Sequence, residues 1–238
     1  IAVAPLAAQK KKPVTIEAIT AQRPAAALAP IWAPDGQRFV YQQGRRIWLY
    51  EAAKRARREL LSLEGLEAAA TKVPPVEAFE WRNRRVREPA AQWSRSGSEL
   101  LISAGGDLFL FMTSAGGFKQ LTATAEPEQD PKLSPDGSRV SFRRGHDLYT
   151  MEIATGKVAR LTQDGSATLL NGELDWVYPE ELDIDTAYWW SPDGGSLAFL
   201  QFDVSREPLY PHADLLGLKA RAEPQRYPNA GDPNPDVQ

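Results

Sequence analysis

The sequence has no cysteine and only two histidines among its 238 residues. Without cysteine the chain has neither a disulfide framework nor a thiol nucleophile. This composition fits the cytosol or a bacterial periplasm better than a small secreted disulfide-rich domain. No apolar run approaches the roughly 20 residues of a membrane-spanning helix. The formal net charge of -3 gives no reason to expect nucleic acid or an anionic membrane as a partner.

The sequence also lacks the motifs of several common catalytic sites. It contains no Gly-x-Ser-x-Gly nucleophile elbow. His146 stands in a Gly-His-Asp turn and His212 in a proline-rich stretch, and neither has the serine and aspartate context of a catalytic triad. No metal-ligand spacing and no phosphate-binding loop occurs. We therefore expect no metal, no cofactor and no catalytic residues of a serine peptidase in this chain.

Residues 1–30 are interpreted as an N-terminal segment that precedes the repeated structure. The stretch from Ile1 to Gln9 is small and apolar and resembles the end of a secretory signal peptide, with a plain terminus as the alternative. The first interpretation favours a periplasmic or secreted protein, and the second leaves the cytoplasm open.

Four segments share one pattern, in which a bulky apolar residue precedes a short polar turn. They are Trp32-Ala33-Pro34-Asp35-Gly36, Trp93-Ser94-Arg95-Ser96-Gly97, Leu133-Ser134-Pro135-Asp136-Gly137 and Trp190-Ser191-Pro192-Asp193-Gly194. Their first residues are 61, 40 and 57 positions apart. An interval of about 40 residues is the length of one four-stranded propeller blade, and the longer intervals fit a blade with an insertion.

The residues after each turn predict further strands. In the third unit Val140 and Phe142 alternate with polar residues, and two more short strands follow at 148–153 and 158–161. We therefore predict an all-β fold for residues 31–238, with about four blades' worth of antiparallel four-stranded units belonging to a seven- or eight-bladed β-propeller. A β-sandwich is the alternative, but it does not repeat a turn motif at fixed positions.

Two stretches depart from this rhythm. Residues 63–70, between the first and second units, have a helical composition. Residues 203–238 are rich in proline, which predicts loop and irregular extended chain with at most edge strands.

The fourth unit carries an insertion that the other units lack, from Asp175 to Leu182. It reads Asp-Trp-Val-Tyr-Pro-Glu-Glu-Leu and is rich in acidic and aromatic residues. A local insertion in a repeated scaffold is a common place for a functional site, because the scaffold positions it while leaving its sequence free.

The residues around this insertion resemble the dipeptidyl peptidase IV family. The stretch from Asn171 to Glu181 reads N-G-E-L-D-W-V-Y-P-E-E and is similar to the family signature N-G-x-x-D-W-V-Y-E-E-E. Further similarities follow in the same order at Tyr188–Gly194, Leu200–Asp203, Pro208–Leu209, Tyr227–Gly231 and Asn234–Pro235.

The resemblance implies an N-terminal β-propeller joined to a C-terminal α/β-hydrolase domain with a Ser-Asp-His triad. It implies a serine exopeptidase that removes N-terminal dipeptides, usually after Pro or Ala. The partners would be peptides with a free N-terminus and the hydrolase domain, with a homodimer as a candidate assembly. The last two glutamates of the signature bind the substrate's amino group, and they correspond to Glu180 and Glu181. The first acidic position of the signature is Pro179 here, which departs from the family.

The physical properties of these residues agree with that role. Pro179 suits the first position of a helix, which would place Glu180 and Glu181 in the first turn, where the helix dipole favours carboxylates. Two adjacent carboxylates repel each other, and an ammonium group between them relieves the repulsion and donates charge-assisted hydrogen bonds to both. The alternative is a solvated acidic helix start.

Four further residues are candidates for the same site. Trp176 and Tyr178 either line the pocket or anchor the insertion in the core. Arg82 and Arg84 are candidates to hold the substrate carbonyl, because the stretch 103–107 closes as a tight turn and no residue matches the arginine that the family uses there. A solvated charged face is the alternative for these arginines.

Two classes of function follow. The first is the substrate-recognition part of a dipeptidyl peptidase. The second is a non-catalytic propeller that binds other molecules, either an inactive homologue or a protein-interaction domain of the TolB or WD40 type. A TolB-like propeller shares the repeated turns but does not account for the stretch from Asp175 to Glu181.

Overall fold

The computed structural model describes residues 15–17, 29–71, 89, 91–215 and 218–238. Three antiparallel meanders of four strands each come first along the chain. The first contains β1 to β4, at Ile31–Trp32, Arg38–Gln43, Arg46–Glu51 and Ala56–Ser62. The second contains β5 to β8, at Gln92–Trp93, Glu99–Ala104, Asp107–Met112 and Phe118–Gln120. The third contains β9 to β12, at Gln129–Leu133, Arg139–Arg144, Asp147–Glu152 and Val158–Arg160.

The repeated turn fixes the register of the strands on either side of it. In all four units the first residue of the motif pairs with the residue seven positions later, and the pairs are Trp32–Phe39, Trp93–Leu100, Leu133–Val140 and Trp190–Leu197. Each turn glycine has a φ between 63° and 73°, which glycine adopts without the steric penalty that a side chain would bring. The predicted equivalence of the four units at this turn is confirmed.

The second meander is buried on both faces. Leu100 and Ile102 belong to a core cluster shared with the first meander, whereas Leu101 belongs to a cluster shared with the third. Successive strand residues point to opposite faces of a sheet, so the three meanders are stacked face to face. Contacts between β1 and β5 and between β6 and β9 continue this stacking, which is the arrangement of propeller blades.

A helix, α1 (Leu63–Ala69), follows β4 and confirms the prediction for residues 63–70. The Ser62 hydroxyl caps it by accepting a hydrogen bond from the backbone N–H of Glu64 at 3.3 Å. Leu66 points into the core and is 1% exposed. None of the helices described in the structure is long and apolar enough to cross a membrane.

A buried aspartate begins the third strand of the second and third meanders. Asp147 accepts hydrogen bonds from Arg160, Thr162 and the backbone N–H of Gly165, at 2.5, 2.6 and 3.1 Å. Asp107 occupies the equivalent place and is 0% exposed. Each carboxylate therefore ties the start of a strand to the chain that leaves the same sheet.

The fourth unit differs from the other three. It contains β13 (Leu169–Asn171), helix α2 (Val177–Leu182), β14 (Tyr188–Trp190), β15 (Leu197–Phe199) and β16 (Gln201–Asp203). β14 pairs only with β15, whereas β16 pairs with β13 and with β19 (Asp236–Val237). Within the described residues, the prediction of about four four-stranded units is therefore met by three, and the fourth is divided.

The proline-rich C-terminal part was predicted to be loop and irregular extended chain with at most edge strands, and it contains a regular hairpin whose two strands are both edge strands. Its strands are β17 (Leu209–Asp214) and β18 (Arg221–Arg226). Pro211 lies opposite Pro224, and the backbone N–H of Tyr227 donates to the Pro208 carbonyl at 3.1 Å. Antiparallel pairs alternate between bonded and non-bonded types, which places both prolines in a non-bonded pair where no N–H is needed.

Candidate functional site

The insertion of the fourth unit interrupts a single strand position. Residues 197–203 pair first with β14 and then with β13. The chain from Gly172 to Ala187, which contains the insertion, therefore loops out between these two strands. The backbone of Leu200 closes both ends of this loop. Its carbonyl accepts from the N–H of Gly172 at 2.9 Å, and its N–H donates to the carbonyl of Ala187 at 2.8 Å.

A buried polar cluster holds the start of the insertion. Asn171 is 0% exposed, and its side-chain amide donates to Asp147 at 3.2 Å and to Asp164 at 2.8 Å. Its side-chain carbonyl accepts from Gln201 at 2.7 Å. All of the hydrogen-bonding groups of the Asn171 side chain are thus used, so the point where the insertion leaves the sheet is defined by the third meander.

The helix of the insertion is short and is fixed at both ends. The Asp175 carboxylate accepts from the backbone N–H of Tyr178 at 3.0 Å. Asp183, with φ 53°, ends the helix in the left-handed conformation and donates its N–H to the Tyr178 carbonyl. The helix begins at Val177, so Pro179 is its third residue rather than the first, and this detail of the prediction was wrong. A proline is tolerated there because the first helical N–H groups have no intrahelical partner.

Two aromatic side chains attach the insertion to the rest of the chain. The Tyr178 ring packs edge-on against Phe202, with ring centroids 4.7 Å apart, and joins the cluster of buried residues around Leu170. The Trp176 ring lies 4.3 Å from the ring of Tyr227, beside the hairpin. Tyr178 is thus placed as an anchor in the core, whereas Trp176 also lines a cavity.

Glu180 and Glu181, which were also predicted for the site, lie apart from the residues that line that cavity. Glu180 is half-buried in the first turn of α2, and Glu181 follows it in an exposed position. Neither is among the residues that line the cavity. Arg82 and Arg84 lie outside the described residues. The roles of these four side chains in substrate binding stay predictions.

The cavity has a volume of about 350 Å³ and opens beside the insertion. Its walls come from the third meander, the insertion, the β16–β17 connection and β18. They include Gln129, Arg143, His146, Ala167, Leu170, Glu173, Leu174, Asp175, Trp176, Val204, Glu207, Gln225 and Arg226. A cavity of this size with charged groups on apolar walls is within the range of small-ligand sites.

Two buried carboxyl groups meet at this cavity. Asp175 is 6% exposed and Glu207 is 3% exposed, both line this cavity, and they are near enough for the charge of Asp175 to act on Glu207. Burial raises the pKa of Asp175 above its ordinary value, against the opposing effect of the Tyr178 N–H. Burial and the neighbouring charge of Asp175 together raise the pKa of Glu207 to about 7. Two carboxyl groups this near to each other cannot both ionise easily.

The opposite wall carries a second charged group of residues. Glu173 accepts from His146 Nδ1 at 2.8 Å and lies 3.0 Å from Arg143 Nη1. The hydrogen bond to Glu173 raises the pKa of His146 above its ordinary value. His146 stands in the turn between β10 and β11, where the sequence predicted it, and the structure adds its contact with the insertion.

Sequence reasoning missed Glu207 and Arg226. Glu207 stands between Arg206 and Pro208 in a polar stretch, where no periodicity marks a buried position. It becomes buried because the hairpin folds back, and Arg226 Nη1 then donates to the Glu207 carbonyl at 2.7 Å. No signal in the sequence marks the pairing of Pro208 with Tyr227 across the hairpin, which brings Glu207 and Arg226 together.

Among the residues described by the structure, no group of three or more His, Asp or Glu side chains is placed to hold a metal ion. The side chains that this region offers are carboxylates and aromatic rings, with Asp175, Glu207 and Trp176 at the cavity. Together, stacked β-meanders and an acidic insertion define a propeller-type domain.

The family of the chain follows from its sequence. Residues 94–238 match the profile of the Dipeptidyl peptidase IV (DPP IV) N-terminal region, and the chain belongs to this family. A probable dipeptidyl-aminopeptidase B of Phaeosphaeria nodorum is 37% identical over 122 residues, which are 46% of this chain and 13% of that protein. A putative dipeptidyl aminopeptidase of Schizosaccharomyces pombe is 37% identical over 114 residues, which are 44% of this chain and 14% of that protein.

The fold is also that of a solved structure. The crystal structure of Porphyromonas gingivalis dipeptidyl peptidase 4 superposes with a TM-score of 0.72 at 23% sequence identity. The superposition covers 95% of this chain and 33% of the solved chain. The chain thus spans about a third of that structure's length.

Proposed function

We propose that this chain is the substrate-recognition propeller region of a dipeptidyl peptidase IV-like serine exopeptidase that removes Xaa-Pro or Xaa-Ala dipeptides from free N-termini. In this proposal Glu180 and Glu181 bind the ammonium group of the substrate. The nucleophile and its triad partners are supplied by an α/β-hydrolase domain outside these residues, because the chain contains no Gly-x-Ser-x-Gly motif.

The observation that carries the proposal is the rigid support of the glutamate pair. The helix that bears Glu180 and Glu181 is closed at its base by the Leu200 backbone and anchored through Tyr178 on Phe202. A carboxylate pair on a fixed helix defines where a substrate's amino group sits. The distance from that point to a nucleophile then determines how many residues are released.

The test is to replace each glutamate with glutamine in the complete protein. Glu180→Gln and Glu181→Gln should each lower kcat/KM on free-amine Gly-Pro substrates by roughly two orders of magnitude. This corresponds to about 3 kcal/mol, the upper range for a hydrogen bond to a charged group. The loss should fall on kcat/KM because the same contact positions the scissile bond.

Asp185→Asn is the matched control, because Asp185 is an exposed carboxylate in the same insertion and its change also removes one negative charge. It should leave kcat/KM within about twofold. An N-acetylated substrate should be rejected by the unmodified protein. Near-normal kcat/KM in both glutamate variants would overturn the proposal and leave the pair as a solvated helix start.

A further inference from the structure

The carboxyl pair of Asp175 and Glu207 joins two parts of the chain that are otherwise separate. Asp175 lies at the base of α2, where its Oδ1 accepts from the backbone N–H of Tyr178. Glu207 lies in the connection between β16 and β17. That connection is itself held by the N–H of Glu207, which donates to the Val204 carbonyl at 3.2 Å, and by Arg226, which donates to the Glu207 carbonyl.

A shared proton would satisfy the hydrogen-bonding groups of the pair. In the part of the chain that the structure describes, no protein donor reaches Asp175 Oδ2 or Glu207 Oε1, and both atoms are buried. A buried carboxylate oxygen without a donor is costly. A proton held between the two carboxyl groups supplies a donor to one and an acceptor to the other, and so satisfies both atoms.

We propose that Glu207 is a positioning residue for the insertion helix, because the proton it shares with Asp175 fastens the base of α2 to the β16–β17 connection and so holds Glu180 and Glu181 in place. The inference rests on the proposed function for the consequence at the substrate amine. The attachment of α2 to the β16–β17 connection does not depend on that function.

Other charged groups lie around the pair. Arg226 on β18 favours the ionised form of Glu207. Arg143 and His146 of the third meander and Glu173 of the insertion share the cavity with the pair. The Glu173–Arg143 contact at 3.0 Å neutralises much of the charge on that wall. Burial still dominates and raises the pKa of Glu207 to about 7.

The direction of the pH effect follows from that shift. Glu207 binds its proton more tightly in the folded chain than in the unfolded chain. The stability that this proton provides is therefore fully present below the ordinary glutamate pKa. It decreases as the pH rises towards about 7 and is absent above it. The base of α2 should loosen between pH 6 and pH 8.

The experiment follows backbone hydrogen exchange in the complete protein, in peptides that cover residues 176–184, at pH 6 and pH 8 after correction for the intrinsic rate. In the unmodified protein, protection should fall by about tenfold between the two pH values, as for the loss of one hydrogen bond. Glu207→Gln keeps a hydrogen-bond donor at position 207 but has no ionisable group there. The protection of residues 176–184 in this variant should therefore be high and equal at pH 6 and pH 8. Glu207→Leu removes the donor, so its protection should be low at both.

Glu173→Gln is the matched control, because it removes a carboxylate from the same cavity and leaves the pair intact. It should retain the pH dependence of the unmodified protein. Protection that does not change with pH in the unmodified protein would overturn the inference. So would equal protection in Glu207→Gln and Glu207→Leu, or loss of the pH dependence in Glu173→Gln.

A second measurement separates this inference from the proposed function. Glu207→Leu should lower kcat/KM on free-amine dipeptide substrates by about tenfold if the fastened helix presents the amine-binding pair. If exchange behaves as expected while kcat/KM is unchanged in Glu207→Leu, Glu180→Gln and Glu181→Gln alike, the positioning is upheld and the proposed function fails. If only the exchange result fails, the proposed function stands without it.

Discussion

The third and fourth units of this chain begin with the same turn and end differently. After Leu133 all four strands of the third meander stay in one sheet. After Trp190 the next strand position is divided, and its two halves pair with strands on either side of the insertion. The turn motif therefore specifies one hairpin and its register, whereas the chain before the motif decides whether the sheet is continuous.

The two units also differ in what holds them. The third meander is supported by buried apolar side chains, with Val140 and Phe142 both 0% exposed. The insertion also has an apolar anchor in Tyr178 on Phe202, but where it joins the sheet it depends on directed contacts of Leu200 and Asn171 and on the Asp175–Glu207 pair. Directed polar contacts fix a position more sharply than apolar area does, and they respond to pH and to single substitutions.

The strongest way to test this difference is at Asp147, where the two units meet. Asp147 and Asp164 both accept from Asn171, but Asp147 is 4% exposed and Asp164 is exposed. Asp147→Asn should lower the free energy of unfolding in urea by about 3 kcal/mol, because it breaks a buried, charge-assisted network. Asp164→Asn should cost less than about 1 kcal/mol. Equal losses would mean that burial does not set the strength of this junction.

The stability that the Asp147 carboxylate provides should depend on pH, in a direction that follows from its pKa. Burial alone would raise the pKa of Asp147, but the hydrogen bonds from Thr162, Arg160 and the Gly165 N–H outweigh it and hold the pKa below its ordinary value. A carboxylate with a lowered pKa contributes stability that is present above the unfolded pKa and is lost as the pH falls through the folded one. The difference between the unmodified protein and Asp147→Asn should therefore shrink in acid, below about pH 4.

The meanders could be predicted from the sequence because their information is local. A Pro-Asp-Gly or Arg-Ser-Gly turn followed by alternation at Val140 and Phe142 determines strand, register and buried face together. The position of the insertion was predictable for the same reason, since the stretch from Asp175 to Leu182 has no place in the repeat. Family resemblance then assigned roles to Glu180 and Glu181 that local physics alone leaves open.

The contacts of the insertion could not be predicted, because they depend on distant segments. Glu207 reaches Asp175 only after β17 and β18 have paired, and Pro211 and Pro224 argued against that pairing. Their position in a non-bonded pair is a matter of register, which the sequence does not state. The first position given to Pro179 in the helix was wrong because the helix starts at Val177, where the Asp175 carboxylate accepts from the Tyr178 N–H.

A second, smaller test compares two glycines of positive φ. Gly172 begins the insertion with φ 65°, and a Cβ there would lie 2.8 Å from a methyl group of Leu148. Gly145 turns between β10 and β11 with φ 56°, and a Cβ there would meet nothing within 4 Å. Gly172→Ala should cost about 2 kcal/mol of unfolding free energy, from both conformation and crowding, and Gly145→Ala about 1 kcal/mol from conformation alone. If the two costs are equal, the insertion is not tightly seated on the third meander.

The smallest effect is expected at the β17–β18 hairpin, which belongs to neither the third nor the fourth unit. Pro211 sits in a non-bonded pair, as the Tyr227–Pro208 hydrogen bond at 3.1 Å fixes the alternation. Pro211→Val should therefore change the melting temperature little, with an unfolding free energy within about 0.5 kcal/mol of the unmodified protein. Tyr210→Pro adds a proline in the neighbouring bonded pair and should remove one ladder hydrogen bond at a cost of about 1 kcal/mol. Hydrogen exchange of peptides covering β18 measures both, because a weakened hairpin exposes the N–H groups of that strand even when the melting temperature does not move. If Pro211→Val proves more damaging than Tyr210→Pro, the register of the hairpin is shifted by one residue, and the burial of Glu207 beside Asp175 loses its structural cause.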